Sequence, residues 1–255
     1  MIKNRDIHYQ PKAVIDAFQI ECLKQTLSYV AEHSPFYKRM FAKHNIDISA
    51  IDSLEALQSI PTTTKQDLQS FNSDFLCVDP VDIIDYVTTS GTLGEPVTFA
   101  LTENDLQRLA YNEASSFTMA GCTKQDVMQL MTTIDRRFMA GLAYFMGARE
   151  LGCGIVRVGN GIPELQWDTI KRVKSTVCMV VPSFLMKMVE AAEKSGIDYN
   201  ASSLRRAVCI GEALRTPDGE LTTLGKRIHE KWPSLELYSS CASTVMQISG
   251  IECGM

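Results

Sequence analysis

Hydrophobic residues recur at helical spacing in the first 80 residues of the chain. Their steps of three and four residues place one apolar face on a helix, made of Ala17, Ile20, Leu23, Leu27, Val30 and Ala31. The pair Ser34-Pro35 interrupts this helix, and the apolar residues between Phe36 and Phe41 predict a further turn or two. Residues 61–68 predict a loop that leads into a short helix capped by Thr hydroxyls. The sequence therefore predicts a helical N-terminal segment over residues 1–80.

The pattern changes from residue 84 onwards to strands that alternate with helices. The predicted strands are residues 83–87, 127–131, 154–158, 177–181, 207–210 and 235–238, and the predicted helices are residues 103–120, 137–151, 164–173, 182–195 and 217–231. Such alternation is typical of βαβ units. The strands are apolar almost throughout, as expected when helices cover both faces of a sheet. We predict an α/β domain over residues 81–255, with a mainly parallel sheet flanked by helices.

Residues 86–97 combine hydroxyl side chains and glycines between two β-rich runs. Glycines allow positive φ, so that successive backbone N–H groups can converge on an anion. The hydroxyls of Thr88, Thr89, Ser90 and Thr92 add donors. A phosphate-binding loop and an ordinary surface turn both fit this composition. A Walker loop is excluded because its glycine-lysine signature is absent, and Arg157 replaces the third glycine that a dinucleotide fingerprint starting at Gly152 would need.

Composition and charge exclude several classes of protein. The net charge of −5 argues against a nucleic-acid-binding surface, which needs a positive footprint. No apolar run approaches the roughly 20 residues of a membrane span, and the polar amino terminus has no signal-peptide core. We therefore expect a cytoplasmic protein that binds neither nucleic acid nor membranes. Its 8 cysteines include no C-x-x-C pair, and its 4 histidines show no metal-ligand spacing.

Seven short motifs occur in an order that resembles one known family. They are the strings at residues 34–39 (SPFYKR), 61–68 (PTTTKQDL), 89–96 (TSGTLGEP), 147–152 (GARELG), 181–185 (VPSFL), 210–214 (IGEAL) and 252–253 (EC). Each string alone is weak, but the seven in this order are strong, and the resemblance extends from about residue 20 to residue 253. The chain is similar to the phenylacetate–CoA ligase group of adenylate-forming (acyl-CoA synthetase-like) enzymes, and it resembles their amino-terminal portion.

The resemblance implies a reaction and a set of site residues. In such enzymes a carboxylic acid attacks the α-phosphate of ATP to give an acyl-adenylate and pyrophosphate, and the CoA thiol then displaces AMP. By resemblance ATP or AMP, Mg²⁺ and CoA are the cofactors and substrates, with the acid near residues 138–141 and 181–184. The residues that would bind the nucleotide are Thr89, Ser90, Gly91, Thr92, Gly94, Gly211, Glu212, Ala213, Cys241, Ala242, Ser243 and Thr244. Thr244, whose hydroxyl would meet the nucleotide phosphate, is also the predicted catalytic residue.

Three residues depart from the family's pattern. Cys241 stands where an aromatic residue usually covers the adenine, so stacking of roughly 1 to 3 kcal/mol would be lost. Val245 replaces the glutamate that helps to hold Mg²⁺, and valine cannot ligate a hard cation. Glu95 replaces the loop lysine and would repel an anion unless it points to solvent. These departures favour an alternative, a catalytically silent nucleotide- or acyl-binding module derived from the family.

Further expectations concern segments that relatives carry beyond this sequence. The family's ribose-binding aspartate and catalytic lysine have no counterpart in residues 1–255, so the chain alone is expected not to complete thioester formation. Cys253 stands where some relatives have the first ligand of a structural zinc site, and a buried free thiol is the alternative. Aromatic, dicarboxylic and short acyl acids all remain open as substrates. Dimers are common among relatives, which leaves a homodimer open.

Overall fold

The computed structural model describes residues 4, 6–89, 95–245 and 248–252. The chain divides into two compact units, residues 1–104 and 105–255. The predicted helical segment lies within the first unit, which also contains a β-hairpin. The functional division proposed at residue 80 stays a prediction.

The described part of the first unit contains three α-helices: α1 (Lys12–His33), α2 (Pro35–His44) and α3 (Lys65–Ser70). Leu27 of α1 packs with Phe41 of α2 and Ile51 in a small buried core, which confirms the predicted apolar face. Buried Ser34 separates α1 from α2 because its hydroxyl accepts a hydrogen bond from the Tyr37 N–H at 3.3 Å. A Thr64–Asp67 capping box starts α3, as the Thr-rich loop predicted.

A hairpin completes the first unit. Strands β1 (Ile83–Thr88) and β2 (Thr98–Thr102) pair antiparallel, and Thr88 lies opposite Thr98. Thr89 closes the hairpin: its N–H donates to the Val97 carbonyl and its hydroxyl accepts from the Val97 N–H, both at 3.0 Å. The hydroxyl- and glycine-rich loop of residues 86–97 therefore connects the two strands at this end of the hairpin.

The second unit is a six-stranded sheet in the order β4-β3-β5-β6-β7-β8. Its strands are β3 (Val127–Leu130), β4 (Gly154–Arg157), β5 (Val177–Val180), β6 (Arg206–Cys209), β7 (Glu236–Ser243) and β8 (Ile248–Ile251), and its helices are α4 (Glu103–Met119), α5 (Met139–Leu151), α6 (Pro163–Val173), α7 (Pro182–Ser195) and α8 (Thr223–Lys231). All pairs are parallel except β7–β8, which is antiparallel. The predicted α/β fold with a mainly parallel sheet is confirmed.

Helices cover both faces of this sheet, which explains its apolar strands. Alternate residues of β5 enter two different cores: Val177 and Met179 pack with α4 and α5, whereas Cys178 and Val180 pack with α6, α7 and α8. Four consecutive β5 residues are consequently buried. Among the described residues, no helix combines the length and the apolar composition that crossing a membrane requires.

Three element boundaries differ from the predicted ones for local reasons. Helix α8 begins at Thr223 rather than 217, because residues 216–220 form a turn and the Thr222 hydroxyl caps the helix by accepting from Gly225 N–H at 3.2 Å. Helix α5 begins at Met139 because Arg136 and Arg137 have left-handed φ values of 59° and 61°. Strand β7 continues to Ser243, since its second half pairs with β8.

Candidate functional site

An open cleft of about 520 Å³ lies in the second unit, beside the carboxyl ends of its strands. Its walls come from the start of α5, the segment after β6 and the second half of β7; the lining residues are Phe138, Met139, Ala140, Tyr144, Ile210, Gly211, Glu212, Ala213, Arg215, Ser239, Ser240, Cys241, Ala242 and Thr244. Open α/β sheets bind ligands in crevices outside the carboxyl ends of their strands. The cleft therefore lies where this fold class places its ligand sites.

Six of the twelve predicted nucleotide-binding residues meet in this cleft: Gly211, Glu212, Ala213, Cys241, Ala242 and Thr244. Two segments that are 28 residues or more apart in sequence are thus brought to one surface by the parallel β6–β7 pair. Ser243 lies on the same strand but is not part of the lining. The folded chain groups these residues as the resemblance implied, and their binding role stays a prediction.

The remaining predicted site residues are Thr89 and five residues that the structure does not describe. Thr89 belongs to the first unit, where both its N–H and its hydroxyl bond to Val97. Ser90, Gly91, Thr92 and Gly94 lie outside the described residues, and so does Cys253, the proposed zinc ligand. Within residues 6–89, 95–245 and 248–252, no three His, Cys, Asp or Glu side chains are grouped to hold a metal ion.

The turn after β6 depends on Gly211 and Glu212. Gly211 has φ +77°, a left-handed conformation that a side chain would strain. Glu212 turns back to the start of α7, where its carboxylate accepts from the N–H and the hydroxyl of Ser183, each at 2.8 Å. Val181, the residue that precedes α7, makes no side-chain cap. Glu212 therefore supplies the missing cap and places a negative charge at the positive end of the helix.

Replacing Glu212 with Ala is expected to lower the free energy of unfolding by about 1 kcal/mol, because α7 loses its cap. The effect is no larger because Glu212 is exposed to solvent. Chemical denaturation of the two proteins measures this difference. Glu230→Ala, an exposed change on α8, is the control and should leave stability unchanged within about 0.5 kcal/mol. Equal stability of wild type and Glu212→Ala would show that the carboxylate is no cap.

The floor of the cleft along β7 is held by an ion pair. Glu252 follows β8, and its carboxylate accepts from the Ser239 N–H at 2.7 Å while it pairs with Arg215. Arg215 also donates to the Gly219 carbonyl at 3.0 Å. The pair links the turn after β6 to the β7–β8 pair, so that both predicted nucleotide segments are fixed relative to each other.

A buried polar cluster lies behind the cleft between α4, α5 and the β7–β8 pair. Glu113 of α4 is 4% exposed and hydrogen-bonds Ser249 of β8. The Ser116 and Ser249 hydroxyls are 3.2 Å apart, and the Tyr144 hydroxyl bonds Ser240. Burial raises the pKa of Glu113 to about 7. Burial, with a smaller effect of Glu113, also raises the pKa of Tyr144.

Sequence reasoning missed this cluster and several lining residues. Tyr144 could have been found, because it lies four positions after Ala140 on a predicted helix and must share its face. Ser239 and Ser240 lay beyond the predicted end of β7. Nothing in the sequence indicated that Glu113 is buried, since a glutamate in an amphipathic helix is ordinarily solvated.

Comparison with known proteins identifies a family. Residues 11–229 match the family described as AMP-binding enzyme. The chain belongs to this family. AMP-binding enzymes that it resembles include the phenylacetate-coenzyme A ligases of Escherichia coli (strain K12), with 30% identity over 82% of this chain, and of Thermus thermophilus, with 31% identity over 83%. The aligned regions make up 48% of each relative, so the chain spans about half the length of these proteins.

Solved structures show the same fold. A 2-hydroxyisobutyryl-CoA ligase in an open conformation, in complex with 2-HIB-AMP and CoA, matches 97% of this chain and 59% of its own length, with a TM-score of 0.83 and 21% identity. The same enzyme in its thioesterification state matches 92% of this chain and 50% of its own length, with a TM-score of 0.80 and 24% identity. At these identities the likeness shows the fold alone.

Proposed function

We propose that this chain is the nucleotide- and acid-binding part of an acid–CoA ligase that forms an acyl-adenylate. One observation carries the proposal: a single cleft unites the 211–213 turn, the 241–244 stretch and the apolar start of α5. The family and the relatives named as phenylacetate-coenzyme A ligases support it. The acid and ATP would react to give acyl-AMP and pyrophosphate, and the CoA thiol would then release AMP.

Each wall of the cleft has a distinct part in this proposal. The backbone of the 211–213 turn would line the adenine, with Glu212 engaged in capping α7 rather than in ligand binding. The Thr244 hydroxyl would donate to the nucleotide phosphate and stabilise the charge that develops there. The apolar side chains at the start of α5 would exclude water from the acyl group.

The described residues of the cleft do not fit a protein-held Mg²⁺. Glu212 is the carboxylate of the lining, and both its oxygens already accept hydrogen bonds from Ser183. Val245 is 49% exposed and offers no oxygen ligand. The zinc site proposed at Cys253 is a separate prediction, to be tested by metal analysis.

AMP is expected to bind this chain saturably, and Thr244→Ala should weaken that binding about tenfold or more, since a hydrogen bond to a charged group contributes about 1.5–3 kcal/mol. Calorimetric titration with AMP and with ATP, each with and without Mg²⁺, makes the measurement. Ser195→Ala is the control, because this exposed residue lies at the far end of α7, about 18 Å along the helix from Ser183. Absence of binding at millimolar AMP would contradict the proposal.

A silent binding module is the second candidate, and it is favoured by Cys241, Val245 and Glu95. Cys241 and Glu95 are exposed. Exposure of Glu95 agrees with a side chain that points to solvent and reduces its repulsion of an anion, so Cys241 and Val245 carry this candidate. Because the family's catalytic lysine has no counterpart in residues 1–255, exchange of pyrophosphate into ATP in the presence of carboxylic acids is measured on a version of the protein extended by the family's carboxy-terminal lobe. Exchange supports the ligase, and Mg²⁺-independent AMP binding without exchange supports the module.

The proposal also covers location and assembly. We infer a cytoplasmic protein because the described cysteines are all free, as in a reducing compartment. A homodimer is proposed by resemblance alone, and light scattering tests it.

A further inference from the structure

The apolar wall of the cleft is formed by the first turns of α5. Phe138, Met139, Ala140 and Tyr144 line it, and Ala140 and Tyr144 stand one turn apart on the same helix face. Tyr144 is only 1% exposed although it belongs to the lining. Its ring is therefore embedded in the wall.

Tyr144 cannot easily move aside to deepen the cleft. Its ring packs against Phe117, with the ring centroids 6.1 Å apart, and its hydroxyl is hydrogen-bonded to Ser240. Rotation of the side chain would break this bond and leave a buried hydroxyl without a partner, which is unfavourable.

The helix that carries Tyr144 is also held in place. A Cβ atom added to Gly141 would lie 2.0 Å from the Thr133 carbonyl oxygen, and one added to Gly147 would lie 2.3 Å from Glu113 Cβ. Glycines at these two positions let α5 approach its neighbours closely, so that the helix cannot move further towards Thr133 or Glu113. Tyr144 consequently lies between two points at which α5 is closely packed.

We propose that Tyr144 is a specificity-determining residue that restricts the acid to small aliphatic carboxylic acids of a few carbon atoms. This inference rests on the proposed function. The nucleotide would lie along the 211–213 turn and the 241–244 stretch of the cleft, so that the acyl group would lie against the apolar wall to which Tyr144 belongs. An aryl group would have to displace the Tyr144 ring, whereas a methyl or isopropyl group would pack against it.

The test uses stable mimics of the acyl-adenylate, 5′-O-(N-acylsulfamoyl)adenosines whose acyl group is acetyl, isobutyryl or phenylacetyl. Calorimetric titration of the wild-type chain should show the acetyl and isobutyryl compounds binding about tenfold or more tightly than the phenylacetyl compound, the size of discrimination that hydrophobic pockets achieve. Tyr144→Ala should reverse this order by opening the wall. Tyr144→Leu, a milder truncation, should shift the order of affinities in the same direction. This second variant keeps the test valid if Tyr144→Ala does not fold.

Ile228→Ala is the matched control. Ile228 of α8 is 0% exposed, belongs to the core on the other face of the sheet and is not part of the cleft lining, so its removal also creates a cavity in the core but should leave the order of the three compounds unchanged. Wild-type protein that binds the phenylacetyl compound as tightly as the acetyl compound overturns the inference. An equal change of order in Ile228→Ala and Tyr144→Ala overturns it as well.

AMP in a parallel titration separates this inference from the proposed function. Binding of AMP with no discrimination among the acyl compounds overturns the role of Tyr144 and leaves the nucleotide site intact. Failure of AMP and of all three compounds to bind overturns the proposed function, and the inference with it.

Discussion

Gly141→Ala is expected to lower the free energy of unfolding by about 3 kcal/mol, the upper end of what overpacking costs. The added Cβ would lie 2.0 Å from the Thr133 carbonyl oxygen and 2.8 Å from the Ile134 Cα, both of them backbone atoms. A flexible side chain could rotate away from such a contact, but here either α5 or the segment after β3 must shift. Urea denaturation of wild type and variant measures the difference.

Gly250→Ala is the matched control for this substitution. Gly250 lies in β8, and an added Cβ there would have no heavy atom within 4 Å. The same methyl group should then change stability by no more than about 1 kcal/mol. A loss smaller than about 1 kcal/mol in Gly141→Ala would contradict the rigid placement of α5, on which the wall of the cleft depends.

The fold could be predicted from the sequence because each of its elements has a local cause. β5 is apolar over four residues since both of its faces are covered, and α3 starts where Thr64 can cap it. The predicted boundaries were wrong where a single turn determines the residue at which an element begins. The start of α8 depends on a turn that Gly219 enters with φ +83°, and nothing in the helical pattern of residues 217–231 shows it.

The candidate site could be predicted only in part. The motifs located Gly211 and Cys241, because these stretches resemble strings of a known family. They could not show that Glu212 caps α7, since that contact joins residues 29 positions apart. Nor could they show which side chains lie behind the cleft. Tyr144, Ser240 and Glu113 meet only after three elements have packed together.

Glu113 should make the stability of the protein fall as the pH rises from 4.5 to about 7. Its carboxyl group is 4% exposed, and burial raises its pKa from 4.5 to about 7. Between these two values the folded state holds a proton that the unfolded chain has released, so raising the pH favours unfolding. The full penalty, about 3 kcal/mol, is present above the folded-state pKa and absent below the unfolded-state one.

Glu113→Gln removes this titration while it keeps the shape of the side chain. Relative to wild type, the free energy of unfolding of this variant should therefore increase by about 3 kcal/mol between pH 4.5 and pH 8, as measured by urea denaturation at several pH values. Glu190→Gln, on the exposed face of α7, should keep a constant difference from wild type. A constant difference for Glu113→Gln as well would mean that Glu113 keeps an ordinary pKa in the folded protein.

The position of Glu113 connects this titration to the cleft. Glu113 bonds Ser249 of β8, and Ser249 lies opposite Ala242 of β7, a residue of the cleft lining. An ionised Glu113 would also face the Tyr144 hydroxyl, whose pKa it raises in addition to the larger effect of burial. Protonated Glu113 therefore favours the arrangement of α4, α5 and β8 that supports the cleft. The proposed binding of AMP should therefore weaken above pH 7 in wild type, and its affinity should stay constant over this range in Glu113→Gln.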